Sequence, residues 1–275
     1  MSSCSWNIFL PIQVSLKDSP PFISGFARSA SLHYLVSHAT HARDGYDAPS
    51  LEAFSTVGGV KVKFPSFLPV GALFDTLHDV VDLPFSILTS TPEDVQCVTF
   101  SIDVFTSSLK ASTLLRAQSL GPSPLAATHA ALPLDKIQAR FDASVYGTGF
   151  AADALGDSAP VIPIRILLRT TQALKDCVVV LQEGVRRDLT VGKAIEEVLE
   201  RGKSYTSEAR SVVLVEENCG ETTGTHCAVL HGVPCHSVLG FFAAPVGDVA
   251  AASAHSDGWL YISLRRTPGF GRLGL

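Results

Sequence analysis

The sequence is poor in charge and has no long uninterrupted apolar run. Only 17% of its residues are Asp, Glu, Lys or Arg, against 46% hydrophobic. That balance excludes disorder throughout and supplies ample material for a packed core. The formal charge is −5. Arg186-Arg187 and Arg265-Arg266 are pairs rather than clusters, so composition argues against a nucleic-acid partner. No apolar stretch approaches the ~18–20 residues of a membrane-spanning helix. The opening MSSCSWNIFLPIQ has no basic segment followed by a long apolar core, as a signal peptide would. The expected location is the cytosol. There the six cysteines (Cys4, Cys97, Cys177, Cys219, Cys227 and Cys235) are expected as reduced thiols rather than as a disulfide framework.

What is present is a chain of 275 residues in which one element order occurs twice. In the first half the alternation of apolar side chains predicts strands over 8–16 and 22–27, then a helix over 31–42 capped by Ser29 or Ser31. A hairpin over 51–57 and 60–64 turns through Gly58-Gly59. A short helix over 69–78 begins with Pro69, and a strand closes the half over 83–89. In the second half, strands are expected over 161–169 and 177–182. Thr190 caps a helix whose apolar face is Val191, Ala194, Ile195, Val198 and Leu199. Strands over 212–215 and 226–231, a helical turn over 237–242 and a strand over 258–264 complete the set. Strand, strand, helix, strand, strand, short helix, strand is the order of the ubiquitin-like β-grasp.

Between the halves lies the run 93–116, EDVQCVTFSIDVFTSSLKASTLLR. Val95, Val98, Ile102, Phe105 and Leu109 recur at steps of three and four, as one buried helical stripe requires. Lys110 falls about 100° from the centre of that stripe, where its stem can lie on the protein and its amine in water. A Pro/Ala/Ser linker over 118–131 and a second helix over 134–155, interrupted by Gly147 and Gly149, follow. The fold class is therefore α+β: two ubiquitin-like domains, at 1–91 and 159–275, flank a helix-rich segment at 92–158.

Candidate chemistry is sparse. Cys219, His226, Cys227, His231, Cys235 and His236 form the densest set of possible metal ligands. Cys219 and Cys227 are too far apart for the usual zinc pair, and neighbours on a strand project oppositely. Cys235-His236 adjacency does not by itself bring thiol and imidazole together, and no motif singles out a nucleophile. Glu196-Glu197 and Glu216-Glu217 are solvated faces, and the glycine pairs lack the pattern of a phosphate loop. No catalytic, cofactor-binding or metal residue is assigned.

Several short strings, in order, resemble the autophagy protein 5 family. They are Trp6 with Pro11 and Leu16; Pro69-Val-Gly-Ala-Leu-Phe-Asp75 with Leu83-Pro84; and Phe105-Thr-Ser-Ser-Leu-Lys110. Arg140-Phe-Asp142, Ile162-Pro-Ile-Arg165, His231-Gly-Val233 and Leu260-Tyr-Ile-Ser263 follow. The helical middle is shorter and richer in Ala, Ser and Gly than that family's, and the loop over 219–225 and the tail after Arg266 find no counterpart. The resemblance implies a non-catalytic scaffold with Lys110 as isopeptide acceptor for the ubiquitin-like autophagy protein 12, joined by an activating and a conjugating enzyme. It implies a helical partner, autophagy protein 16, and a ligase-like complex that promotes transfer of autophagy protein 8 to phosphatidylethanolamine. It also implies peripheral membrane contact, with recruitment to the pre-autophagosomal membrane. Two rivals stay open: an adaptor that is never conjugated, and a thiol enzyme that carries the modifier as a thioester.

Overall fold

The computed structural model describes residues 6, 8–16, 21–32, 34–35, 52–57, 60–63, 65, 67–77, 85–90, 101–119, 133–147, 160–169, 178–214 and 225–266. Strands β1 (Phe9–Leu16), β2 (Phe22–Ala27), β3 (Glu52–Val57), β4 (Val60–Lys63) and β5 (Phe85–Ser90) form one five-stranded sheet. A second comprises β6 (Val161–Arg169), β7 (Val178–Arg186), β8 (His226–Leu230), β9 (Val233–Pro234) and β10 (Leu260–Arg266). The spatial orders are β2-β1-β5-β3-β4 and β7-β6-β10-β8-β9. These are one order written twice. In each, the first strand of the half runs parallel to the last, β1 with β5 and β6 with β10, while the hairpin neighbours are antiparallel. That is the β-grasp arrangement, and the α+β class expected from the sequence is the class observed.

Six helices are described: α1 (Val70–Leu77), α2 (Ser101–Ser119), α3 (Leu134–Tyr146), α4 (Val191–Gly202), α5 (Ser207–Arg210) and α6 (Val246–Ser253). Thr190 caps α4 as its sequence position predicts, its side chain accepting from the Lys193 amide. Ser31 rather than Ser29 caps the helical turn at Leu32, by accepting from the Tyr34 amide; residues 36–42 of that expected helix lie outside the described ones. So do 78, 83–84, 93–100 and the Gly58-Gly59 turn.

Five expectations need correction. Helix α2 runs on through Gln118 and Ser119, so the linker begins later than expected. Helix α3 stops at Tyr146 because Gly147 takes up the left-handed conformation (φ 66°), a common way for a helix to end. Strand β7 extends to Arg186, pairing with β6 along its whole length. The third strand of the second sheet is β8, not 212–215, where the described residues make a single bridge from Leu214 to His226. The fourth is the two-residue β9, reached through a turn in which His231 (φ 54°) and Gly232 (φ 81°) both have positive φ. Two such residues make a tight antiparallel hairpin, and Pro234 at its end lacks the N–H to extend the ladder. The expected helical turn over 237–242 begins earlier, as a 3-10 turn at Cys235–Ser237.

Strand β6 is buried almost from end to end. Its Ile162, Ile164, Ile166 and Leu168 face α4 and α6 in the core of the second domain. Leu167, with Val178, Trp259 and Tyr261, faces the other way, into a core shared with Trp6, Leu10, Ile12, Leu73 and Leu77 of the first half. A strand covered on both faces reads as a continuous apolar run, which is why VIPIRILLR shows no alternation. Helix α1 lies against β6 and β10. Ser263 Oγ donates to the Ala72 carbonyl at 2.9 Å, and Thr76 Oγ1 to Ser263 Oγ at 3.0 Å.

Candidate functional site

Helix α2 packs on β6, β7 and α3. Phe105 and Leu109 are buried against Ile137 and Phe141 of α3, and the Phe105 and Phe141 rings meet edge to face at 5.7 Å. On the other side Asp103, Ser107, Lys110, Leu114 and Gln118 are exposed. Their spacing of three and four makes one solvent stripe with Lys110 in its middle. This is further from the core than the apolar pattern implies. The buried face includes Ser108 (6% exposed) and Ser112 (0%), and counting them moves its centre away from the lysine.

The two serines are held by the loop before β10. Ser108 Oγ donates to Asp257 Oδ2 at 2.6 Å, and Ser112 Oγ to the Asp257 carbonyl at 2.6 Å. One turn on, Arg116 donates to the Gly258 carbonyl at 2.6 Å, and Trp259 Nε1 donates back to the Ser108 carbonyl at 3.0 Å. Ser108, Ser112 and Arg116 are spaced by four, so they line one side of α2, centred about 160° from Lys110.

Asp257 is 1% exposed. It also accepts from the Tyr261 hydroxyl at 2.7 Å and the Trp259 amide at 3.2 Å, and lies 2.8 Å from His255 Nδ1 and 3.6 Å from Arg165. Burial alone raises this carboxyl, but His255, Arg165 and Ser108 reverse that and hold it well below the usual carboxylate range. A buried carboxylate is tolerable only when so surrounded. Arg165 donates to Ser108 Oγ at 2.6 Å and Tyr261 Oη at 2.7 Å, with its guanidinium 4.1 Å from the Trp259 ring centre. Burial and the neighbouring Arg140 push Arg116 down to about 10, against the pull of Asp257.

The network continues into the first half. His255 Nε2 donates to the Ser29 carbonyl at 2.8 Å, and Ser29 Oγ to the Ser144 carbonyl in α3 at 2.6 Å. The Trp6 ring meets that of His231 at a tilt, centroids 4.3 Å apart, and its indole N–H donates to the Ser253 carbonyl at 3.0 Å. Arg28 and Asp75 form a buried ion pair at 2.5 Å, and Asp75 accepts from the Gly232 amide at 2.9 Å. Both ubiquitin-like units and the helical segment are thus joined by buried polar contacts as well as by apolar packing.

Other residues singled out by sequence fall elsewhere. Cys4, Cys97, Cys177 and Cys219 are outside the described residues. Cys235 is not brought to His236; it is Cys227 Sγ that lies 2.9 Å from His236 Nδ1. Both thiols are buried, and burial pushes both upward. Among the described residues no group of three metal-ligating side chains comes together, and no helix is long and apolar enough to cross a membrane. Sequence reasoning did not reach Ser108, Ser112, His255 or Asp257. The one trace of them was a pair of serines four apart on the inner side of a helix.

Two β-grasp sheets joined through a helical pair, with a lysine presented on the outer side of one helix, define the class: a tandem ubiquitin-like fold. Residues 161–264 match the family model of the UblB domain of autophagy protein ATG5. The crystal structure of Kluyveromyces marxianus Atg5 is similar in fold, with a TM-score of 0.56 and 15% identity, over 94% of this chain and 96% of that one. No curated protein matches the chain by sequence. Residues 161–264 are thus similar to the UblB domain of that family, and the chain as a whole is similar in fold to Atg5 across both halves.

Proposed function

We propose that the chain is a non-catalytic autophagy scaffold in which Lys110 is the acceptor for the C-terminal glycine of autophagy protein 12. Its units would be 1–91, 92–158 and 159–275. The observation that carries the reading is the placement of Lys110, exposed at mid-length on α2, on a helix whose opposite side is hydrogen-bonded to the second domain.

The reaction asks little of the acceptor. The modifier arrives as a thioester on the conjugating enzyme's cysteine. The Lys110 amine gives up a proton and attacks the thioester carbonyl; the C–N bond forms, the C–S bond breaks, and the leaving thiolate takes the proton. The conjugate would bind the helical protein autophagy protein 16 and promote transfer of autophagy protein 8 to phosphatidylethanolamine, from the cytosol at the forming autophagic membrane. A thiol enzyme is disfavoured for Cys227 and Cys235, since both sulfurs are buried and burial pushes both thiols upward, Cys227 even with His236 beside it.

Reconstitution with the activating enzyme, conjugating enzyme and modifier tests the reading on a reducing gel. Wild type shifts by the mass of the modifier and Lys110→Arg does not. A shift in both moves the acceptor to another lysine, and no shift in either leaves the unconjugated adaptor.

A further inference from the structure

We infer that Asp257, with the Gly258 carbonyl beside it, positions the acceptor lysine by fixing the rotation of α2; the inference rests on Lys110 being the acceptor. Among the described residues of α2 the buried apolar side chains are Phe105, Leu109 and Ala117. Apolar contacts are non-directional, so this short stripe, with Ala111 and Leu115 packed beside it, fixes the helix's rotation less sharply than directional bonds do. Hydrogen bonds are directional. Ser108, Ser112 and Arg116 bind one loop, on three successive turns of a single side. That side lies about 160° round the helix from Lys110, so a roll that breaks the clamp swings the amine by the same angle.

The loop is built for this approach. Gly258 has a φ of +87°, and a Cβ there would stand 2.7 Å from Ser112 Oγ and 3.2 Å from Arg116 Nη2. No other residue lets the backbone come so near the helix. Asp257 is in turn fixed by His255, Arg165 and Tyr261, so the clamp is anchored in the second domain and, through Ser29, in the first. Asp257 is a positioning residue. It touches neither the amine nor the modifier.

The test uses the full chain in single-turnover reactions, titrated against conjugating enzyme already charged with modifier. Ser112→Ala lowers the maximal rate about threefold, and Ser108→Ala/Ser112→Ala about tenfold, as expected for a misaimed nucleophile. The half-saturating concentration stays within about twofold of wild type, because the exposed stripe is untouched. An unchanged maximal rate in the double variant overturns the inference. So does a loss carried wholly by the half-saturating concentration, which is a docking defect. If the double variant does not fold, Ser112→Ala decides on the same two quantities. Lys110→Arg separates this from the reading beneath it. A modified wild type, a silent Lys110→Arg and a full-rate double variant refute the clamp alone. An unmodified wild type, or a Lys110→Arg as reactive as wild type, removes the acceptor assignment and the clamp's role with it.

Discussion

Asp75→Ala removes the anionic half of a pair in which Arg28 is 5% exposed and Asp75 4%. The Arg28 guanidinium keeps its contact with the Gly71 carbonyl at 3.2 Å but loses its counter-charge, and the Gly232 amide loses its acceptor. Breaking a buried pair from one side costs about 3–5 kcal/mol. For a domain whose total stability is about 5–15 kcal/mol, that is a large fraction. The assay is urea unfolding followed by tryptophan fluorescence. It suits this chain because it has 2 tryptophans, and Trp6 and Trp259 both lie in the core shared by the two halves. The midpoint should fall sharply. Arg28→Met/Asp75→Leu, which removes both charges, should recover part of the loss, since a buried pair replaced by apolar groups is often no less stable. A cost below about 1 kcal/mol for Asp75→Ala, the range of solvent-exposed pairs, would refute the argument that this contact is buried between the domains.

Two further outcomes follow from the same region. Burial, Arg28 and His255 push His231 down to about 3. Unfolding lets it take up a proton near pH 6.5, so its neutral form is fully accommodated above that pH. Stability then falls as the pH drops from about 6.5 toward 3, by at most about 1.4 kcal/mol per unit. His231→Asn, which tolerates the positive φ at this position, should flatten the slope of stability between pH 6.5 and 4.5, a window above the range where Asp257 titrates; an unchanged slope would be the contrary result. Gly71→Ala would set a Cβ 2.6 Å from Arg28 Cβ and 2.9 Å from its carbonyl oxygen. Overpacking of this kind costs about 1–3 kcal/mol, so the thermal midpoint should drop although alanine is the better helix former.

The parts of the fold legible in the sequence were those set by local periodicity. The α4 face, its Thr190 cap, the β1–β2 and β3–β4 pairs and the inward side of α2 all follow from residues a few positions apart. Element order in the second half was reached partly through a wrong element: Val212 to Val215 is apolar enough to suggest a strand, whereas the actual fourth strand is two residues long and ends in Pro234. Helix α6, VGDVAAAS, went unseen because small residues buried on one side leave little amphipathic contrast. The clamp was invisible for a different reason. Ser112 and Asp257 are 145 residues apart, and a serine on the inner side of a helix looks, in isolation, like a break in the apolar stripe. Lys110 could be found from its helix; what fixes its direction could not.

The core beneath the first sheet has a consequence for how the chain comes to fold. Its walls include Trp259 and Tyr261 as well as Trp6 and Leu10. A ribosome delivers the first of these long before the last. The N-terminal half therefore spends most of synthesis with one apolar face uncovered, and closes it only when β10 has emerged and lain down beside β6. Such long-range closure is slow and leaves the nascent chain open to wrong partners, so the chain is most exposed to them before β10 emerges.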